Sequence, residues 1–394
     1  MAEPARVVIV GAGLAGLRVA EELRTRDYKG AITLIGAESR PPYDRPPLSK
    51  KLMTGELDDT SLRADMESLS VDLRLAERAT ELAGAVVRTD LAEYEWDALV
   101  LATGANPVTL PGSGPQQVLR TVDDALKIRA MLTPGTTLAI VGAGWIGAEL
   151  ATAAATRGCA VTVLEAADTP LAGAVGADIG ALTIPWYAEA GVDLRLNQSV
   201  AAIGTGGIGL EDGGWVPADV VVTAIGVRPA VSWLTGSDVR LENGVAADGQ
   251  LRTSVPAVFA AGDCASFWSA RYNRQLRFEH WDVALHAPEV VAANILGGST
   301  AYDPVPYFWS EQFGRMVQYV GYHGDADKLI WRGRPGEARW AACWLAGDRL
   351  VAILTVGLPR DLIQARRLIE AGGLVDPARL ADAGIAVRDS GIAD

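Results

Sequence analysis

One arrangement occurs twice in this chain, and it constrains the fold more than anything else. Residues 6–10, Arg-Val-Val-Ile-Val, form a short apolar run that enters Gly11-Ala-Gly13-Leu-Ala-Gly16. Leu17–Arg26 has the composition of a helix, and Ala31–Ile35 predicts the next strand. The pattern returns at Thr137–Val141, followed by Gly142-Ala-Gly144-Trp-Ile-Gly147, a helix through about Arg157, and Ala160–Leu164 with Glu165 at its end. A strand–turn–helix–strand unit with GxGxxG at its first turn is a dinucleotide-binding fingerprint. The first glycine permits the tight turn, the second lets the backbone approach a pyrophosphate, and the third lets helix and strand pack closely. The helix N-terminus then offers free N–H groups and a partial positive charge to the phosphates. One copy alone can be only a turn. Two copies in the same context predict two nucleotide sites in an α/β chain.

Other segments fit the same plan. Tyr94–Gly104 predicts a strand ending in Ala102-Thr103-Gly104, and Ala218–Gly226 is its counterpart after the second copy. Thr253–Asp263 predicts another strand, ending in Gly262-Asp263. Asp263 reads either as a helix cap or, in this context, as a contact to the ribityl chain of a flavin.

Composition removes several classes of function. The 394 residues leave room for two or three domains. With 49% hydrophobic and 21% charged residues the chain is not a disordered one. No apolar run approaches the ~20 residues that cross a bilayer, and Val7–Val10 is too short for a signal sequence, so a cytoplasmic protein is expected. A net charge of −13 disfavours nonspecific contact with nucleic acid or anionic lipid. Cys159, Cys264 and Cys343 are scattered, and His280, His286 and His323 lack zinc-ligand spacing. Neither a local redox dithiol nor a metal site is predicted. The hard chemistry therefore falls to a bound cofactor.

With these motifs in place, the chain resembles the FAD-dependent pyridine nucleotide reductases. Within them it is similar to the NADH-dependent ferredoxin reductases that serve oxygenases and cytochromes P450. The matching segments are GAGLAG at 11–16, Pro42-Tyr-Asp-Arg-Pro-Pro-Leu-Ser-Lys50, LVLATGA at 99–105, GAGWIG at 142–147, FAAGDCA at 259–265 and YFWSEQ at 307–312. The resemblance implies two Rossmann-like domains, one for FAD and one for NAD, plus a C-terminal α+β domain. It implies a discontinuous FAD domain over 1–107 and 230–306, a nicotinamide domain inserted as 108–229, and a C-terminal domain over 307–394. In that last part Arg339–Leu345 and Arg349–Val356 predict a hairpin around Ala346-Gly347-Asp348, and Asp361–Ala371 predicts one late helix.

The resemblance also implies site residues. For FAD these are Gly11, Gly13, Leu14, Ala15, Gly16, Arg45, Lys50 and Ala79, together with Ala102, Thr103, Gly104, Arg129, Asp263 and Trp281. Relatives usually carry Asp at the Ala37 position, so the adenosine ribose contact falls to Glu38. For the nicotinamide nucleotide they are Gly142, Gly144, Ile146, Gly147, Glu165 and Gly226. Glu165 would accept from the ribose hydroxyls and repel a 2′-phosphate. With no Arg or Lys in Ala166-Ala167-Asp168, NADH is expected over NADPH. Leu171-Ala172-Gly173 stands where relatives carry basic residues near NAD, which predicts weaker nucleotide affinity.

Lys50 and Glu149 match a Lys–Glu pair placed beside the flavin ring in this family, a catalytic assignment whose plain alternative is two solvated helix residues. Such a pair would stabilise negative charge on reduced flavin. Trp309 reads either as a neighbour of the flavin or as a core residue. A hydride passing from nicotinamide to flavin, with no cysteine couple to receive the electrons, predicts one-electron delivery to an iron–sulfur ferredoxin. The other readings are an NADH oxidase or rubredoxin-type reductase, and an apoptosis-inducing-factor-like flavoprotein whose redox state controls binding. Ferredoxins are commonly acidic, so docking calls for a local basic patch. Arg271, Arg274, Arg277, Arg315 and the Arg332–Arg339 stretch are the candidates.

Overall fold

The computed structural model describes residues 3–392. The chain forms two compact units. The first comprises Met1–Asp44, Ser61–Asn106 and Arg228–Pro306, and the second Arg45–Thr60, Pro107–Val227 and Tyr307–Asp394.

In the first unit the apolar runs become one five-stranded parallel sheet. Its order is Val258–Ala260, Ala98–Leu101, Arg6–Val10, Ala31–Ile35, Val71–Arg74. Ile9, Leu34 and Val100 have no exposed surface, as expected of strands covered on both faces. From the central strand Arg6–Val10 the chain moves outward through Ala31–Ile35 and returns on the other side as Ala98–Leu101. That reversal puts a topological switch point directly after Val10. The helices Leu14–Thr25 and Trp281–Ile295 pack on each other in this unit.

The segment 94–104 is not one strand. Glu93–Glu95 pairs with Val86–Thr89 in a small antiparallel sheet, and only Ala98–Leu101 enters the parallel one. The change of sheet is fixed at Trp96-Asp97: Trp96 N–H donates to the Ala85 carbonyl and Asp97 N–H to that of Arg6. The Asp97 carboxylate also takes the Arg6 guanidinium at 3.0 Å.

The second unit repeats the plan with four parallel strands, ordered Asp193–Arg195, Ala160–Leu164, Thr137–Val141, Val220–Thr223. The helix Trp145–Thr156 follows its first strand. The same unit contains a five-stranded antiparallel sheet in the order Tyr307–Gln312, Arg315–Gly321, Arg349–Val356, Trp340–Ala346, Lys328–Gly333. Helix Pro359–Ala371 follows it, and a second short helix, Pro377–Ala381, adds to the one late helix expected. Its N-cap Asp376 accepts from the N–H groups of Ala378 and Arg379, which starts that helix without a long apolar face. The fold is thus α/β with two dinucleotide-binding sheets and an α+β C-terminal part.

Candidate functional site: two nucleotide cradles and a buried ion pair

The two glycine turns have the same steric anatomy. Gly11 has φ +118° and Gly142 φ +103°, backbone that side chains rarely adopt. A Cβ on Gly11 would stand 2.0 Å from the Ala102 carbonyl oxygen, and one on Gly142 would stand 2.5 Å from that of Ala224. In each copy the turn is therefore pressed against the strand across the switch point. A Cβ on Gly16 would meet the Gly11 oxygen at 1.9 Å, and one on Gly147 would meet the Gly142 oxygen at 2.0 Å. At the middle glycines, Gly13 and Gly144, nothing lies within 4 Å of that position. Both middle glycines cap the following helix with no side-chain hydrogen bond. Each turn thus offers open space in front of free helix N–H groups, where a pyrophosphate fits. Leu14 and Ala15 open the first helix, and Ile146 lies in the first turn of the second, 43% exposed.

In the first unit Ala102, Thr103 and Gly104 follow the strand Ala98–Leu101, and the Thr103 hydroxyl donates to the Ala230 carbonyl at 2.8 Å. Glu38 follows Ala31–Ile35 and accepts from the Tyr43 hydroxyl at 2.5 Å. Ala79 opens the strand Ala79–Ala83. Asp263 sits in a single tight turn, Gly262–Cys264, and caps no α-helix; His280 stands at the N-cap position of the helix Trp281–Ile295 without a side-chain capping bond. Burial pushes the His280 imidazole down to about 4, although the Asp263 charge pulls the other way, so the ring is neutral at pH 7. Trp281 Nε1 donates to Asp44 Oδ1 at 2.7 Å.

The remaining residues expected at FAD fall in the second unit. Arg45 donates to the Arg120 carbonyl at 2.5 Å. Arg129 donates to the carbonyls of Leu52 and Leu57 and pairs with Asp58 at 3.0 Å, which pins the loop after Lys50. Glu149 lies in the helix of the second glycine motif and is 3% exposed. Its Oε2 accepts from Lys50 Nζ at 2.8 Å and from the Ser49 hydroxyl at 2.5 Å, and its Oε1 accepts from the Ser310 hydroxyl at 2.6 Å. The solvated-helix alternative for these two residues is excluded by that geometry. Ser49 and Ser310 escape sequence reasoning, because nothing local marks a serine that meets a glutamate 100 or 161 positions away.

Glu165 is not a loose strand-end carboxylate. Oε2 accepts from Ala143 N–H at 2.7 Å and Oε1 from Ala167 N–H at 2.9 Å, bracing the glycine turn to the loop after its second strand. Gly226, with φ +102°, closes the other side of that switch point. Leu171 turns inward: it is 5% exposed and packs with Trp186, Trp340 and Trp344. Trp309 is half-buried and stacks on Tyr307 at 6.0 Å between centroids.

Several arginines weighed for docking are engaged elsewhere. Arg332 is 3% exposed, pairs with Asp361 at 2.7 Å and donates to the carbonyls of Leu380, Asp382 and Ile385. It cannot serve a surface patch, because it ties the C-terminal segment to the sheet. Arg277 pairs with Glu279 at 2.8 Å, and Arg315 pairs with Glu189 at 2.5 Å while lying over the Trp186 ring. The three cysteines are free thiols. Among the described residues no group of three or more His, Cys, Asp or Glu could hold a metal, and no helix is long and apolar enough to cross a membrane.

Comparison with known proteins gives this anatomy a family. Residues 5–287 match the family described as pyridine nucleotide-disulphide oxidoreductase, and residues 307–390 match that described as reductase C-terminal. The chain is 38% identical over 399 residues to the ferredoxin–NAD(+) reductase component of the anthranilate 1,2-dioxygenase system of Burkholderia cepacia, covering 97% of this chain and 98% of that one. The crystal structure of Fdr9 superposes with a TM-score of 0.94 at 48% identity, over 97% of this chain and 99% of the other. The covalent putidaredoxin reductase–putidaredoxin complex also gives 0.94, at 31% identity, covering 98% and 97% of the two chains. With both glycine cradles shaped for a dinucleotide, the chain belongs to the pyridine nucleotide-disulphide oxidoreductase family, whose members work with FAD and NAD(H), and carries its reductase C-terminal part.

Proposed function

We propose that this protein is an NADH-dependent ferredoxin reductase feeding an oxygenase or a cytochrome P450. The observation that carries the reading is the combination of two dinucleotide cradles with a buried Lys50–Glu149 pair and no cysteine couple. FAD, when bound, supplies a ring that accepts two electrons together and releases them singly. The protein's own groups supply the rest. The turn at Gly11–Gly16 and Asp263 hold the flavin nucleotide, and Glu38 meets its ribose. The turn at Gly142–Gly147 and Glu165 hold the nicotinamide nucleotide, with Glu165 excluding a 2′-phosphate. Lys50 sets a positive charge against the negative charge of the reduced cofactor, and Glu149 fixes where that charge stands.

Burial pushes the Cys343 thiol up to about 12 and raises those of Cys264 and Cys159. All three stay protonated at pH 7, so none is a ready nucleophile for a thiol relay. The functional domains are assigned as 1–107 with 230–306 for FAD, 108–229 for NAD and 307–394 for the C-terminal domain, in a cytoplasmic protein. Steady-state turnover with NADH and NADPH against a panel of ferredoxins, with oxygen as control, tests the reading. Rapid reduction of at least one ferredoxin supports it. Turnover with oxygen alone would replace it by an oxidase, and slow acceptor reduction with a long-lived flavin–NAD charge-transfer band by a redox-regulated binding protein.

A further inference from the structure

The Glu149 carboxylate is served from two sides. Ser49 and Lys50 reach Oε2 from one segment, while Ser310 reaches Oε1 from the first strand of the C-terminal sheet. Ser310 and Gln312 point to the same face of strand Tyr307–Gln312, and neither has any exposed surface. Gln312 Nε2 donates to Ser310 Oγ at 3.0 Å. With that lone pair occupied, the hydroxyl proton is directed to Glu149, giving a one-way chain from amide to hydroxyl to carboxylate. The strand is also fixed beside this helix at its end, where Phe313 N–H donates to Thr152 Oγ1 at 2.9 Å. Thr152 lies three residues beyond Glu149, on the same side of the helix.

We infer that Ser310, backed by Gln312, is a positioning residue that tunes the positive field of Lys50 through Glu149, so that the C-terminal strand sets the reduction potential of the bound flavin. This rests on the flavin reading above. The sign follows from charge. A hydroxyl donor on Oε1 draws off part of the carboxylate's negative charge, and a charge-assisted bond of this kind is among the stronger ones. Without it more negative charge stands beside Lys50 and the net positive field shrinks. The reduced, more negative cofactor is then held less well, and the potential falls.

The test is spectroelectrochemical titration of the FAD-loaded protein and its variants. Ser310→Ala is expected to weaken the reduction equilibrium about tenfold, a fall of about 30 mV for a two-electron couple. Ser310→Thr keeps the hydroxyl and is expected to retain the original potential. The Ser310→Ala shift is expected to vanish in a Glu149→Gln background, because the serine acts only through that carboxylate. Should Ser310→Ala not fold, Gln312→Met removes only the donor behind the hydroxyl and is expected to move the potential the same way by less. An unchanged potential, a shift that Ser310→Thr does not restore, or an equal shift in the Glu149→Gln background overturns the inference. Failure of the underlying reading looks different: the unmutated protein would carry no FAD, or its FAD would not be reduced by NADH.

Discussion

Lys50 Nζ stands 2.8 Å from Glu149 Oε2, with the two side chains 13% and 3% exposed, joining positions 99 residues apart. Burying such a pair costs desolvation that its mutual attraction rarely exceeds, so stability alone is a poor reason for keeping it. Lys50→Met is expected to slow flavin reduction by NADH about tenfold or more while leaving NADH affinity nearly unchanged. A charge that acts only as negative charge develops lowers the rate constant when lost, and tenfold is about 1.4 kcal/mol. Because the two side chains act as a unit, the double variant with Glu149→Gln is expected to depart from the sum of the two single effects. Stopped-flow reduction of the four proteins measures this; additive losses, or an unchanged rate in Lys50→Met, would remove the pair from the catalytic machinery.

The glycine turns allow binding to be separated from folding. Gly142→Ala places a Cβ 2.5 Å from the Ala224 carbonyl at a φ of +103° and is expected to destabilise the fold by about 1–3 kcal/mol. Gly144→Ala meets nothing within 4 Å and is expected to leave the melting temperature within a few degrees. Its methyl group occupies the approach to the helix N-terminus, so NADH affinity is expected to fall about tenfold or more. Thermal unfolding beside nucleotide titration checks both. Equal loss of stability in the two variants would mean that the space at Gly144 is structural.

Four of the parallel strands were legible because each is a short run of β-branched and aliphatic residues, stopped by Gly11, Gly36 and Gly142 in three cases and by Glu165 in the fourth. Arg6–Val10, Ala31–Ile35, Thr137–Val141 and Ala160–Leu164 all form where that pattern places them. The run at 94–104 misled because apolar patterning does not say which sheet a strand joins; hydrogen bonds of Trp96 and Asp97 to distant carbonyls decide it. The resemblance supplied both halves of the Lys50–Glu149 pair, but the donors that complete Glu149 are contacts between remote segments. For the same reason a basic stretch at 332–339 reads as surface until Arg332 proves to be buried on Asp361.

The Glu165 carboxylate braces Ala143 and Ala167, and the ribose contact proposed for it would be a second role for the same group. Glu165→Ala removes both acceptors and is expected to weaken NADH use by about tenfold or more, since one lost hydrogen bond to a charged group is worth ~1.5–3 kcal/mol. Glu165→Gln keeps an acceptor for one N–H and removes the charge that repels a 2′-phosphate. It is therefore expected to narrow the NADH-over-NADPH preference with the smaller loss of NADH efficiency. The ratio of kcat/KM for the two nucleotides checks this. Equal efficiency with NADH and NADPH in the unmutated protein would refute the role given to Glu165.

The family description mentions a disulphide, whereas Cys159, Cys264 and Cys343 are free thiols here. Cys264 and Cys343 are fully buried, and burial raises all three thiols above their ordinary range, which makes each a poor nucleophile for a thiol relay. Replacing Cys159, Cys264 and Cys343 together by Ala is expected to leave reduction of an iron–sulfur acceptor within about twofold of the unmutated rate. Stability is expected to fall by about 1–3 kcal/mol, because two of the three leave small cavities in packed surroundings. Serine at Cys343 is expected to cost more than alanine: a hydroxyl is more expensive than a thiol to bury where no partner was arranged for it. Acceptor reduction, FAD content and thermal unfolding of the same samples separate the two effects. Loss of acceptor reduction with FAD content and folding intact would mean that a thiol carries electrons after all, and that the one-electron route from flavin to acceptor must be abandoned.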